Sequence, residues 1–210
     1  MPSLTLFGNR ESGHTYKVAL MLTLAGIEYD YHEIDLDLPR QVRPEPFRTL
    51  AKYGEVPLLV HEGVVFVQSN AILLHLAEHT GAYGGQSRER MDRVREWLFW
   101  EANRIGFSLP NLRFALRFPG TSAPAVETML RTRLEADIER LDFELDDGRA
   151  FVLGDEATVA DFALCGYLWW PEQAKVALPP GVQAWLARIA ALPGWRHPYD
   201  INGQSTRTDA

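Results

Sequence analysis

Ser12, His14 and Thr15 follow the strand-like run SLTLF and stand at the start of an apolar helical pattern. A hydroxyl there has two uses. It caps the helix by accepting one of the backbone N–H groups that a first turn leaves unpaired, a role serine often fills. Alternatively it donates to an anion at the helix N-terminus, where the dipole favours negative charge. One charged hydrogen bond together with a helix N-terminus can supply ~2.7 kcal/mol, enough to lower the pKa of a bound acidic group by ~2 units. Two other places offer suitable groups. An X-Pro bond such as Val56-Pro57 adopts the cis form at small cost, aiming the preceding N–H and C=O away from a sheet and towards a peptide. A trans proline opening a strand is the plainer alternative. Gln68 and Ser69 precede a helical pattern whose first-turn N–H groups suit a carboxylate, and Ser69 as an ordinary N-cap is compatible with that role. HLAEH (75–79) matches the H-x-x-E-H of inverted zinc peptidases, but no ligand cluster follows it, and no metal is expected.

The elements that position these groups follow from hydrophobic spacing. SLTLF (3–7) predicts a strand, KVALMLTLAG (17–26) a helix closing at Gly26, and the alternation from Tyr29 to Asp35 a second strand. Leu38 to Leu50 reads as loop and short helix. PLLV (57–60) and VVFV (64–67), separated by His61, Glu62 and Gly63, predict a hairpin, and Ser69 to His79 a third helix. With a right-handed crossover, this order gives one sheet with helices on its faces, a thioredoxin-like layout over 1–80. GAYGGQS (81–87) marks a linker, and every apolar pattern in 88–210 is helical. Those patterns are a long helix from Arg88 to about Arg117, a second from Ala125 to about Leu145, a third opened by Thr158 and Asp161 at capping-box spacing before FALCGYLWW, and a fourth from Trp185 to Ala191. The fold class expected is α/β plus all-α.

Composition narrows the partners. Among 210 residues, 21 basic against 28 acidic side chains give a net charge of −7, which argues against a nucleic-acid surface and leaves a small mobile substrate as the easier partner. No apolar run reaches the ~18 to 20 residues that span a bilayer, and MPSLTLFGNRE lacks the order of a secretory signal, so a cytoplasmic location with no membrane partner is expected. Cys165, alone in the sequence, excludes an internal disulfide and CxxC chemistry, and reads as a small buried hydrophobe.

Four separated motifs resemble the cytosolic glutathione transferase family. SGHTYKV (12–18) looks like the loop whose serine, threonine, cysteine or tyrosine opens the first helix; GEVP (54–57) is similar to its glycine-x-valine-proline segment, whose proline is cis; QSNAI (68–72) resembles its glutamate/glutamine-serine motif; and TVADF (158–162) matches its serine/threonine-x-x-aspartate helix start. The resemblance spans most of the chain and implies a thioredoxin-like domain followed by a helical one, a homodimer, and glutathione as co-substrate. It assigns Ser12 the place of the catalytic serine of the theta, zeta and phi classes, with His14 and Thr15 as alternative contacts to sulfur. It implies that Val56, with Pro57, pairs with the cysteinyl backbone, and that Gln68 and Ser69 hold the γ-glutamyl end. Glutamine at 68 weakens the salt bridge that the commoner glutamate makes. Glu55 departs from the usual lysine or glutamine and would repel the glycyl carboxylate, so Gln41 or Arg43 from QVRPE (41–45) is expected to compensate. WLFWE (97–101) resembles a stretch of the bacterial nu class, which favours disulfide reduction, although that class has threonine-x-asparagine where this chain has Ser12-Gly13-His14. Trp100, Arg104 and Phe107 fall at helical spacings that could line the electrophile site. Conjugation to a small electrophile, reduction of a peroxide or disulfide, and a non-catalytic scaffold remain as readings.

Overall fold

The computed structural model describes residues 4–84, 86–201 and 203. Strand alternation divides β1 (Leu4–Gly8) between two packing layers: Leu4 and Leu6 enter the main core, while Phe7 joins a smaller cluster with Ile34, Phe47, Ala51 and Leu58. Ser3, the expected start of this strand, lies outside the described residues.

α1 (Gly13–Leu24) starts ahead of the apolar spacing because Ser12 caps it. Ser12 has extended backbone angles, and its Oγ accepts from the Thr15 N–H at 3.1 Å. Every residue from Thr15 to Leu22 is buried, which places α1 in the middle of the molecule. Gly26, at φ +66°, turns the chain out of the helix. There follow β2 (Asp30–Glu33), a 3-10 turn (Arg40–Val42), α2 (Phe47–Leu50), β3 (Leu58–His61), β4 (Val64–Val67) and α3 (Ser69–Thr80). The sheet order is β2-β1-β3-β4, with β1 parallel to β2 and antiparallel to β3, the thioredoxin-like arrangement read from the sequence. β3 begins after Pro57, which has no N–H to give a ladder.

Among the described residues after α3, the regular elements are helices: α4 (Arg88–Asn103), α5 (Ile105–Arg117), α6 (Pro124–Glu144), α7 (Val159–Cys165), α8 (Pro180–Ala190) and α9 (Pro198–Ile201), with a 3-10 turn at Pro171–Ala174. Within the expected linker, Gly85 lies outside the described residues, as do Asn202 and 204–210 of the expected helical region. The capping box forms, and Asp161 accepts four bonds: Oδ2 from the Thr158 N–H at 2.8 Å and the Thr158 hydroxyl at 3.0 Å, and Oδ1 from the Val152 N–H and from Trp185 Nε1, both at 2.9 Å, the last tying α7 to α8.

Two expectations fail for the same kind of reason. The single helix from Arg88 to about Arg117 is two helices, broken at Arg104, whose φ of −119° and ψ of −105° are not helical. The break brings Gly106 against the buried Glu101 side chain, where any Cβ would collide. α7 likewise stops at Cys165 rather than running through FALCGYLWW, because Gly166 must approach the first turn of α1; a Cβ on Gly166 would stand 2.9 Å from the Gly13 carbonyl oxygen. None of the described helices is long and apolar enough to cross a membrane.

Candidate active site

The C-terminal end of β1, the first turn of α1 and the start of α3 face the α4–α5 break across a cleft with two chambers. The smaller, of about 180 Å³, is lined by Lys17, Gln68, Ser69, Asn70 and Glu101 among others. The larger, of about 630 Å³, is bordered by Ser12, Arg40, Phe107, Phe114 and Tyr167 among others. His14, Glu55, Val56 and Gly106 border both and form the neck.

In the small chamber, the Gln68 side chain makes no capping bond to α3, so first-turn N–H groups can serve an anion there. Gln68 itself holds φ +70° and ψ 111°, a conformation that side-chain-bearing residues avoid at a cost of about 1–3 kcal/mol and that tends to mark functional positions. Its Nε2 donates to Glu55 Oε2 at 3.3 Å, so the acidic residue at the neck has a neutral partner. The Val56-Pro57 bond is cis. The floor is ionic. Lys17 Nζ donates to Asn70 Oδ1 at 2.7 Å and to both Glu101 oxygens at 3.1 and 3.2 Å, and Asn70 Nδ2 donates back to Glu101 Oε2 at 2.8 Å. Burial pulls the Lys17 pKa down, and the charge and hydrogen bonds of Glu101 oppose it.

At the neck, His14 is neutral: burial, helped by the nearby Lys17 charge, lowers its pKa to about 3, and its buried Nδ1 has no hydrogen-bond partner. Such an atom is a place where a ligand can bond. Thr15 lines neither chamber; its hydroxyl accepts from the Asn9 N–H at 3.2 Å and staples the loop after β1. That loop is also held from the helical side. Arg113 of α5 pairs with the Glu11 carboxylate, donates to Gln173 Oε1 at 2.6 Å and lies over the Trp170 ring, and the Tyr199 hydroxyl reaches Glu11 at 3.1 Å.

The remaining candidates separate. Arg43 borders the large chamber, but its guanidinium donates to the carbonyls of Leu36, Leu38 and Gly54 at 3.1, 3.1 and 2.6 Å, so it shapes the loop before β3. Gln41 is exposed and borders neither chamber. Arg40, which the sequence reading passed over, lies along Gly54 at the large chamber. Phe107 lines that chamber, with Phe114 and Phe118 further along its wall. Trp100 and Arg104 do not: Trp100 packs edge-on against Trp97 at 5.5 Å, and Arg104 pairs with Asp137 at 3.7 Å. Their spacing with Phe107 assumed a continuous helix, and the break at Arg104 turns α5 away from the face of α4. His75 and His79 of HLAEH meet His61 of β3 outside both chambers, with His61 Nδ1 2.9 Å from His75 Nε2. Among the described residues, no group of three His, Cys, Asp or Glu side chains is placed to hold a metal ion.

Comparison with known proteins gives the same outline. Residues 2–78 match the model of the glutathione S-transferase N-terminal domain, and residues 114–193 that of the C-terminal domain. The chain is 29% identical to the disulfide-bond oxidoreductase YfcG of Escherichia coli, with 89% of each covered. A glutathione S-transferase structure from Xanthobacter autotrophicus is 30% identical and superposes with a TM-score of 0.80, covering 92% of this chain and 96% of that one. The theta class glutathione S-transferase of Xanthomonas axonopodis, solved with glutathione bound, shares the fold at 22% identity, a TM-score of 0.81, and coverage of 99% and 100%. This chain belongs to the glutathione S-transferase family.

Proposed function

We propose that this protein binds glutathione across the neck of the cleft and presents its thiolate to a small electrophile in the large chamber. The observation that carries the reading is the continuity of the two chambers through His14 and Val56, with an anion-receptive helix start on one side and the Ser12 hydroxyl on the other. The γ-glutamyl group occupies the small chamber against Gln68 and Ser69, and Val56 pairs with the cysteinyl backbone. Ser12 donates to the sulfur. Neutral His14, with Nδ1 unpaired, donates from the opposite side. Arg40 is better placed than Gln41 for the glycyl carboxylate, and Arg43 acts through the loop. Phe107 and Phe114 offer an apolar wall to the electrophile. A second copy of the chain packs on the exposed side chains of Val64 and Phe99, 54% and 75% accessible. A reducing cytoplasm suits both the thiol substrate and the lone buried Cys165.

Disulfide reduction is the second reading, favoured by the similarity to a relative named for that activity and by the polar side of the large chamber, where Asn9, Arg40, Asn111 and Arg117 could hold a charged disulfide. Titration calorimetry with glutathione, followed by turnover of an aryl halide, a hydroperoxide and a disulfide, separates the possibilities. Micromolar to millimolar binding with fastest turnover of the aryl halide is expected. Turnover of the disulfide alone selects the second reading, and binding with no turnover selects a scaffold.

Gln68→Gly tests the small chamber. Glycine adopts positive φ without strain, so the variant gains about 1 kcal/mol of stability, or about 2–4 °C in Tm. It loses the amide that faces the γ-glutamyl group, and glutathione binds about tenfold more weakly. Calorimetry reads both. A variant that binds as tightly as the parent removes Gln68 from the site.

A further inference from the structure

A separate hollow of about 480 Å³ adjoins the large chamber, since Arg40, Arg43 and Gly54 border both. Four cations line it, Arg40, Arg43, Arg48 and Lys52, and no carboxylate among the described residues does. In a chain of net charge −7, such a concentration runs against the overall balance. Only one of the four is neutralised: Arg48 Nη2 lies 2.8 Å from Glu45 Oε1. The buried Arg43 guanidinium is held by the carbonyls of Leu36, Leu38 and Gly54, which supply dipoles but no countercharge. Lys52 stands over the Tyr53 ring at 5.0 Å, which sets its ammonium at the rim. Neither Lys52 nor the exposed Arg40 pairs with a carboxylate among the described residues. Four cations against one carboxylate leave a surplus of three positive charges around the hollow.

A guanidinium fork beside an ammonium matches the oxygens of a phosphate, and Phe47 and Tyr53 give the hollow an aromatic side with room for a group of sugar or aryl size. The negative charge of the whole molecule turns away a long polyanion, so the ligand is small. We propose that this hollow binds a small phosphate-bearing anion through Arg40 and Lys52, and that the bound anion opposes glutathione. The opposition follows from what the two sites share. Arg40 lies along Gly54, where a Cβ would stand 2.9 Å from its Cδ and 3.0 Å from its Nε, and Arg43 Nη1 donates to the Gly54 carbonyl at 2.6 Å. The two cations thus bracket the residue two positions before Val56. An anion that draws the Arg40 guanidinium into the hollow takes it from the glycyl carboxylate, and the antagonism is reciprocal. This second part rests on the reading of the cleft as a glutathione site, and the binding of the anion does not.

Inorganic pyrophosphate and phenyl phosphate are the probes, titrated into the protein by calorimetry with potassium chloride at matched ionic strength as the control for screening. One-to-one binding of either anion is expected, and the tighter of the two tells an inorganic from an organic phosphate. Lys52 is exposed and borders neither chamber of the cleft, so Lys52→Ala should keep the fold and the Kd for glutathione in chloride while weakening the anion about tenfold. Arg40→Ala should weaken the anion at least as much. In the parent, saturating anion is expected to raise the Kd for glutathione about fivefold over the chloride control, and in Lys52→Ala the same concentration should have much less effect. No binding of either probe, or binding that both substitutions leave unchanged, overturns the site while the glutathione reading stands. A protein that binds pyrophosphate but no glutathione defeats the glutathione reading and leaves the anion site in place. A glutathione Kd that saturating anion does not move beyond the chloride control overturns the antagonism.

Discussion

Ser12→Ala lowers kcat/KM for conjugation about 100-fold, the loss of ~2.7 kcal/mol that a hydroxyl bonded to a thiolate supplies. The same substitution also removes the N-cap of α1, since Ser12 Oγ accepts from the Thr15 N–H at 3.1 Å. Loss of a serine cap costs about 1 kcal/mol, or about 2–4 °C in Tm for a chain of this size. The two roles are separable because glycine is a tolerated N-cap that costs only a few tenths of a kcal/mol relative to serine. Ser12→Gly should therefore keep the stability of the parent within about 1 °C and still lose about 100-fold in rate. Initial rates with an aryl halide, paired with calorimetric melting of both variants, decide the matter. A glycine variant as fast as the parent would leave Ser12 with its capping role and nothing more.

The parts of this molecule legible in its sequence are those whose signals are local. Thr158 and Asp161 lie three residues apart on one turn, so their box was readable, whereas the bond from Trp185 to Asp161 joins positions far apart and was not. Ser12, Val56-Pro57 and Gln68-Ser69 are each adjacent to the element they open, and the structure brings them to one cleft. The other wall depends on contacts between distant segments. Lys17 read as one more residue in an apolar helix, and nothing near it announces Glu101 as a partner. The break at Arg104 leaves the apolar spacing intact on either side, so Trp100, Arg104 and Phe107 looked like one face. Gly106 was the only local hint. Gly13 and Gly166 gave a similar hint without a partner: each is a glycine because the other approaches, and the ring of Tyr167 follows from that approach.

The largest loss of stability is expected where the two halves share a buried charge. Lys17 and Glu101 are 1% and 2% exposed, and Asn70 completes their bonding. Removing one member of such a pair strands the other, at about 3–5 kcal/mol, so Glu101→Gln should lower Tm by about 6–20 °C. The loss depends on pH, with a definite sign. Burial already holds the Lys17 pKa below its ordinary value, and without Glu101 it falls further. Between that depressed value and the ordinary lysine pKa of ~10.4, the unfolded chain binds more protons than the folded one, so the variant gains stability as pH rises through the window and loses it as pH falls. Its deficit relative to the parent should be smaller at alkaline than at neutral pH. Lys17→Met added to Glu101→Gln removes the stranded ammonium and leaves a neutral amide to bond Asn70, restoring most of the stability. Asn70 follows Ser69 in the first turn of α3, so the single variant should also loosen glutathione binding in the small chamber, and the double variant should recover part of it. Melting curves from neutral to alkaline pH test the argument: two substitutions whose costs simply add would show that Lys17 and Glu101 are not energetically coupled.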